Sequence, residues 1–205
     1  EGPQTIAAIL IESIVGTAGV LMPPPGYLEG IRALCDKYGI VWIADEVMSG
    51  FGRTGKWFGY QHSSVEPDLI VFAKGVNSGY VPLGGVIISK AIAESFNDRT
   101  FPGGLTYSGH PLACAAALAS LDVFAEEQLF KRSAELAPYF EEAVHSLREL
   151  PHVIDVRNMG MVAGIELESI PGKPTARAFE VFQRCYEKGV LIRTTGDIIA
   201  LSPPL

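Results

Sequence analysis

Clusters of basic residues are absent from this sequence. Charged residues make up 19% of the 205-residue chain and the formal net charge is -7. A surface that binds nucleic acid usually shows a positive patch, often interleaved with aromatic residues. Because no run of Lys or Arg is present, the composition argues against nucleic acid as a partner.

Long apolar runs are absent as well. A membrane-spanning helix needs about 20 consecutive apolar residues, whereas the stretches around Ile9 and Val86 are interrupted by Gly, Ser, Lys or Glu. Hydrophobic residues still form 48% of the chain, which is enough for a buried core at this length. The sequence therefore predicts a globular protein without a membrane span.

Cysteine is scarce, with only Cys35, Cys114 and Cys185 present. Their number is odd, they lie far apart, and each falls in a segment with helical character. These features favour reduced, packed thiols and a cytoplasmic location. No flanking motif marks any of the three as a catalytic cysteine, and no metal site is predicted.

The first part of the chain alternates strands with helical segments. Apolar runs predict strands over residues 5–11, 40–44, 69–73 and 85–88, and a helical period predicts a helix over residues 26–38 that ends at Gly39. Strand, helix and strand in this order indicate an α/β fold with a mainly parallel sheet.

The second part has a different pattern. It predicts two helices, then short strands, one more helix and a final pair of strands, over residues 113–124, 126–150, 153–156, 161–167, 175–188, 190–193 and 198–201. We therefore predict a boundary near Glu126. Residues 1–125 would belong to a large domain, and residues 126–205 would form a smaller α+β C-terminal domain.

Two reactive side chains follow predicted strands. Asp45 comes directly after one strand and Lys74 directly after the next. Because the carboxyl ends of parallel strands share one edge, where open α/β sheets bind ligands, both side chains are expected in one crevice. Taken alone, such a Lys is more often a solvated gatekeeper and such an Asp a cap or a salt-bridge partner.

A phosphate-binding loop is the alternative interpretation of this region. Residues 50–56 fit the spacing of the P-loop motif, but Trp57 stands where a Ser or Thr hydroxyl should reach a magnesium ion. The segment also follows an acidic strand instead of joining a strand to a helix. We treat this match as a coincidence.

Three segments together resemble a known family. Residues 45–55 read DEVMSGFGRTG, residues 67–75 read PDLIVFAKG and residues 106–113 read TYSGHPLA. This order resembles the class III, fold-type I aminotransferases, which depend on pyridoxal phosphate, and the similarity extends from Ile11 to Leu205. The resemblance implies that Lys74 carries the cofactor as a Schiff base and that Asp45 keeps its ring nitrogen protonated.

The chemistry explains these residue types. A Lys amine in a dry cleft becomes nucleophilic, can attach to the cofactor aldehyde, and can then act as general base and acid. A nearby carboxylate raises the pKa of the pyridine nitrogen, which keeps the cofactor effective as an electron sink.

The resemblance also assigns supporting roles. Val47 matches the apolar residue that packs on the cofactor ring, and Glu12 resembles a Glu near the cofactor pocket, although a buried structural carboxylate fits Glu12 equally well. Thr106 matches a hydroxyl that binds the cofactor phosphate from the neighbouring subunit, which implies a homodimer with shared active sites. Alternatively, Thr106 is an ordinary turn residue before the helix that His110 and Pro111 begin.

Substrate preference is predicted from positions at which this sequence differs from some of the transaminases that it resembles. Transaminases of ornithine or acetylornithine carry an Arg and often a Glu where this sequence has Ala200 and Thr17. Arg193 lies where the ω-amino acid and amine:pyruvate transaminases place a mobile Arg, which can bind a keto-acid carboxylate bidentately. We therefore predict amino transfer from an ω-amino acid or an amine to a keto acid, with pyruvate as the expected acceptor. The alternative for Arg193 is a surface or interface salt bridge.

Other interpretations stay open. The same scaffold supports aminomutases and decarboxylases, and a catalytically silent scaffold is also conceivable. The chain begins with neither Met nor a signal peptide, so we expect it to start inside a longer one. The phosphate loop and the ring-stacking aromatic residue of the family would then precede Glu1, and the 205 residues alone are expected to be inactive.

Overall fold

The computed structural model describes residues 2–205, and within them the first sheet has four strands. The strands are β1 (Ala8–Glu12), β2 (Val41–Asp45), β3 (Leu69–Ala73) and β4 (Gly84–Ile88), in that spatial order. The first three are parallel and β4 is antiparallel to β3. The sheet therefore contains the predicted parallel core, and its carboxyl edge carries Glu12, Asp45 and the residue after Ala73.

Helices accompany this sheet. The helix α1 (Tyr27–Tyr38) ends at Gly39, whose φ of 66° closes it in the left-handed conformation predicted from the sequence. Leu28 and Cys35 of α1 pack with Trp42 and Ala44 of β2, and these four side chains are buried. The short helix α2 (Lys90–Glu94) follows β4, and α3 (Pro111–Glu126) begins at Pro111, as the sequence predicts.

The second sheet is antiparallel. It contains β5 (Val153–Met159), β6 (Val162–Leu167), β7 (Arg193–Thr195) and β8 (Ile198–Leu201), in the spatial order β5-β6-β8-β7. The helices α4 (Leu129–His145) and α5 (Ala176–Glu187) cover it, with Val144 and Ala178 buried against the sheet. The presence of two sheets agrees with a change of architecture along the chain, and the domain limits 1–125 and 126–205 stay a prediction.

Some predicted boundaries are wrong. The first strand starts at Ala8 because Pro3–Thr5 forms a 3-10 turn. The strand predicted at 190–193 starts only at Arg193, because the backbone N–H of Val190 donates to Cys185 O and closes α5. The helix predicted at 126–150 is shorter, because Gln128 adopts a left-handed conformation and separates α3 from α4.

The two sheets meet at a small apolar cluster. Ile14, Val20 and Val162 are almost fully buried there, and Met48 and Ala200 pack against them. Within residues 2–205, no helix is long and apolar enough to cross a membrane.

Candidate functional site

A cavity of about 330 Å³ lies where the carboxyl edge of the first sheet faces the second sheet. Both Asp45 and Lys74 line it, and so does Arg193 from β7. The structure therefore brings together an amine, a carboxylate and a guanidinium that are far apart in sequence. The complete lining consists of Glu12, Gly16, Thr17, Val20, Asp45, Val47, Met48, Lys74, Val162, Arg193, Thr195, Ala200, Leu201 and Ser202.

Asp45 is the last residue of β2. The alternating burial of that strand places Trp42 and Ala44 on the face covered by α1, so Asp45 points to the opposite face. Its Oδ1 accepts a hydrogen bond from the backbone N–H of Val47 at 3.0 Å. Residues 47–50 form a turn, so the strand ends before Val47. Val47 nevertheless lines the cavity beside Asp45.

Lys74 occupies an unusual backbone position. Its φ is 51°, a left-handed conformation that costs free energy in a residue with a Cβ atom and often marks functional sites. Lys74 begins a 3-10 turn, Lys74–Asn77, which is held by the buried side chain of Asn77. The Asn77 amide donates to Val81 O and accepts from the Gly79 N–H. The side chain of Lys74 is exposed. Its amine is thus presented to the cavity at the end of β3.

Glu12 is half-buried and makes a local structural contact at the cavity. Its Oε2 accepts a hydrogen bond from the backbone N–H of Gly16 at 2.8 Å, and the side chain also lines the cavity. Gly16 permits a close approach, since a Cβ atom there would lie 2.8 Å from Met48 Cγ. Glu12 therefore shapes the loop that forms one wall of the cavity.

The same loop is tied to the second sheet. Arg157 of β5 donates through Nε to Val20 O at 3.0 Å and through Nη2 to Gly19 O at 2.6 Å. Its Nη1 pairs with Glu166 Oε2 at 2.8 Å. Thr195 Oγ1 donates to Thr17 O at 2.8 Å. These bonds fix Thr17 and the β7 end of the cavity relative to each other.

Arg193 lines the cavity, and Thr17 and Ala200 line it too. Arg193 takes part in none of the ion pairs formed within residues 2–205. The salt bridge considered as its alternative role is therefore not formed within this part of the chain. Arg193 is exposed to solvent.

Arg53 has a structural role that its motif did not reveal. Its Nη1 donates to Met161 O at 3.2 Å and to Pro203 O. Burial lowers the pKa of the guanidinium. Arg53 connects the loop after β2 to the turn between β5 and β6 and to the segment after β8. It thereby supports the region of the cavity from which Ser202 projects.

Thr106 lies away from this cavity. It is exposed, in a turn between α2 and α3, and is not among the described residues that line the cavity. Its two neighbours in sequence, Leu105 and Tyr107, have large side chains that are both 81% exposed. Within a single chain, the structure therefore does not bring Thr106 to Lys74.

The sequence motif does not single out Glu46 as a site residue. Glu46 is nevertheless fully buried, and its carboxylate accepts hydrogen bonds from the hydroxyls of Ser13 and Ser49. The sequence does contain a signal for this role. Glu46 is a charged residue between Asp45 and Val47, and two possible hydrogen-bond donors occur nearby, Ser13 after β1 and Ser49 three positions after Glu46.

Known proteins resemble the chain over nearly its whole length. The family model described as "Aminotransferase class-III" matches residues 1–205. An omega-aminotransferase of Caulobacter vibrioides is 54% identical over 98% of the chain and 47% of that protein. A beta-alanine–pyruvate aminotransferase of Pseudomonas aeruginosa is 43% identical over 98% of the chain and 46% of that protein.

Solved structures agree with this similarity. The omega transaminase from Pseudomonas jessenii in complex with PMP has a TM-score of 0.93 at 34% identity, covering 99% of the chain and 47% of that structure. A transaminase from the marine bacterium Virgibacillus has a TM-score of 0.90 at 40% identity, covering 99% of the chain and 49% of that structure. The chain thus spans about half the length of the relatives that it matches.

Proposed function

Because the chain belongs to the class-III aminotransferases, we propose that the full-length protein moves an amino group from an ω-amino acid or an amine to a keto acid, with pyruvate as the acceptor. The observation that carries this proposal is the position of Arg193 in the same cavity as Lys74 and Asp45. Thr17 and Ala200 line that cavity too, so the Glu and Arg expected for an ornithine or acetylornithine substrate are missing.

The groups around the cavity fit pyridoxal phosphate, the cofactor of this family. Lys74 offers a primary amine for attachment to an aldehyde, Asp45 a carboxylate for the ring nitrogen, and Val47 an apolar surface for the ring. When bound, the cofactor supplies an electron sink for bond breaking at the carbon that carries the amino group.

Each side chain has its own task in this proposal. The carboxylate of Asp45 stabilises a proton on the ring nitrogen by ion pairing, and the N–H of Val47 holds that carboxylate at the sheet edge. Lys74 Nζ would accept the proton from the reacting carbon and later return it. The loop from Gly16 to Val20, fixed by Glu12 and Arg157, forms one wall of the proposed site.

Arg193 would recognise the acceptor. A guanidinium forms two parallel hydrogen bonds with a carboxylate, and it has no competing ion pair within residues 2–205. An amine donor without a carboxylate does not need this contact. Arg193 therefore contributes to binding of the keto acid more than to binding of the amine.

A homodimer completes the proposed site. The exposure of Thr106 between two exposed apolar side chains, Leu105 and Tyr107, supports a subunit interface there, since such patches mark association surfaces. Thr106 of one copy would then bind the phosphate of the cofactor attached to Lys74 of the other copy.

Steady-state kinetics of the full-length protein test this function. With β-alanine or 1-phenylethylamine as donor, we expect pyruvate to be preferred over 2-oxoglutarate. Arg193→Ala should raise KM for pyruvate about tenfold to a hundredfold, because a charged bidentate contact contributes about 1.5–3 kcal/mol. KM for 1-phenylethylamine should change little. The KM of Arg193→Lys for pyruvate should lie between the values of the wild type and Arg193→Ala. Preference for ornithine with 2-oxoglutarate, together with unchanged kinetics of Arg193→Ala, would refute the proposal.

A further inference from the structure

A buried carboxylate, that of Glu46, lies in the chain between Asp45 and Val47, which both line the cavity. Glu46 is 0% exposed, and it directly follows Asp45 and precedes Val47. The strand ends at Asp45, and beyond the single bond from the Glu46 N–H to Val71 O the pairing with β3 does not continue. Another set of contacts must therefore determine how Asp45 and Val47 are presented.

The Glu46 carboxylate accepts four hydrogen bonds. Oε1 accepts from Ser13 Oγ at 2.6 Å and from the Tyr60 N–H at 2.8 Å. Oε2 accepts from Ser49 Oγ at 2.5 Å and from the Gly59 N–H at 2.6 Å. The donors come from the end of β1, from the turn after β2 and from the 3-10 turn Gly59–His62. One side chain thus joins three separate segments.

The backbone of Glu46 is held as firmly as its side chain. Its N–H donates to Val71 O of β3 at 2.8 Å, and its carbonyl accepts from the Gly50 N–H at 2.9 Å. Two glycines make this packing possible. A Cβ atom at Gly50 would lie 2.7 Å from Glu46 O, and one at Gly59 would lie 3.0 Å from Ser49 Cβ and 3.2 Å from Glu46 Oε2.

A buried charge is tolerated only where its hydrogen-bonding capacity is filled, so this carboxylate has one low-energy position. That position fixes the peptide units on both sides of Glu46. We propose that Glu46 is a positioning residue for the cofactor, acting through Asp45 and Val47. This inference rests on the proposed function, because it requires the cofactor ring to bind between Lys74 and Asp45.

Substitution by glutamine changes the network in a defined way. Each carboxylate oxygen accepts from one serine hydroxyl and one backbone N–H. A hydroxyl can rotate away, but a backbone N–H cannot. The amide NH₂ group of Glu46→Gln must therefore face the N–H of either Gly59 or Tyr60, whichever way the amide is oriented. The segment 45–47 is expected to shift.

The test uses the full-length protein with pyridoxal phosphate as the probe. We expect Glu46→Gln to weaken cofactor binding by the apoprotein about tenfold, as for loss of a charged hydrogen bond. The pH midpoint of the absorption change of the bound cofactor should also shift, because Asp45 no longer faces the ring nitrogen correctly. At saturating cofactor, kcat should fall while KM for pyruvate stays unchanged.

Matched variants separate positioning from folding. Glu187→Gln makes the same chemical change at an exposed position at the end of α5 and should match the wild type. Ser49→Ala removes one rotatable donor and Gly59→Ala crowds the carboxylate, so both should shift the same pH midpoint less than Glu46→Gln does. If Glu46→Gln does not fold, these two variants decide.

Two negative results have different meanings. The folded variants could show a lowered Tm while their pH midpoint, cofactor affinity and kcat stay at the wild-type values. This result would overturn the positioning role and leave the proposed function intact. Failure of the wild-type protein to bind pyridoxal phosphate would refute the proposed function itself, and the positioning role with it.

Discussion

At the scale of single residues, the site depends on side chains held in place by backbone geometry. Lys74 adopts a φ of 51°, and Asn77 fixes the turn that follows it. Asp45 is oriented by the N–H of Val47. Strained or locally bonded residues of this kind keep a reactive group in one direction, which reduces the cost of ordering it when a ligand binds.

Lys74→Arg tests the residue-scale assignment. The variant keeps the positive charge, but a guanidinium does not attach to the cofactor aldehyde, and its very high pKa makes it a poor base. We expect transamination to fall by a factor of about 10²–10⁴ or more. Borohydride treatment of the wild-type holoenzyme should fix the cofactor to the peptide that contains Lys74, as read by mass spectrometry. Fixation of the cofactor at another lysine would contradict the assignment.

At the scale of elements, the ends of strands and helices are held by contacts from outside the element. The helix α5 starts at Ala176, and its N-cap residue Thr175 makes no side-chain capping bond. The carboxylate of Asp197, from the turn between β7 and β8, replaces this cap. Its Oδ2 accepts from the Thr175 N–H at 2.9 Å and from Ser169 Oγ at 2.7 Å. The turn beside Arg193 thus anchors α5.

Asp197→Asn should weaken this anchor. The hydrogen bonds from the Thr175 N–H and Ser169 lower the pKa of Asp197, so the charged form is the stabilising one. We expect a loss of at most about 1 kcal/mol in the free energy of unfolding, the usual size of a capping contact. The contribution should be complete above the unfolded pKa of about 3.9 and should disappear as pH falls through the lower folded pKa.

Denaturant unfolding of the full-length protein between pH 7 and pH 3 measures this difference. Asp98→Asn serves as the control, because Asp98 is exposed and its side chain forms no hydrogen bond or ion pair within residues 2–205. A difference between wild type and Asp197→Asn that grows as pH falls would contradict the capping role.

At the scale of the whole molecule, the cavity exists only because two sheets face each other. Glu12, Asp45 and Lys74 lie at the carboxyl edge of the first sheet, whereas Arg193 and Ala200 belong to the second sheet. Arg157 bridges them through Gly19 and Val20. Thr106 stands outside this arrangement, so its predicted role depends on a second copy of the chain.

Mixed dimers test the proposed sharing of sites. Lys74→Ala and Thr106→Asp should each inactivate the homodimer, the first by removing the amine and the second by placing a negative charge against the cofactor phosphate. In the coexpressed heterodimer, one of the two sites would contain both native residues. We expect it to bind one pyridoxal phosphate per dimer and to recover about half of the wild-type activity, since one site of two is intact.

Tagged subunits and tandem purification isolate the mixed species, and analytical ultracentrifugation gives its size. A heterodimer as inactive as its parents would show that Lys74 and Thr106 of the same chain act together. A monomeric wild-type protein would remove the basis for shared sites.

Much of the fold follows from local pattern. The strand Leu69–Ala73 and the end of α1 at Gly39 were predicted correctly, because a continuous apolar run and a left-handed glycine are short-range signals. The antiparallel direction of β4 and the late start of β7 were not predicted, because pairing direction and strand length depend on distant partners.

The candidate site divides in the same way. The sequence alone determined the family, and it singled out Lys74 and Asp45, because the residue types required by the chemistry occur there in ordered motifs. Only the tertiary structure decided that Arg193 lies with them in one cavity, that Arg53 and Arg157 bind backbone carbonyls, and that Glu46 is buried among four donors. Burial and hydrogen-bond partners depend on segments distant in sequence, which no local pattern specifies.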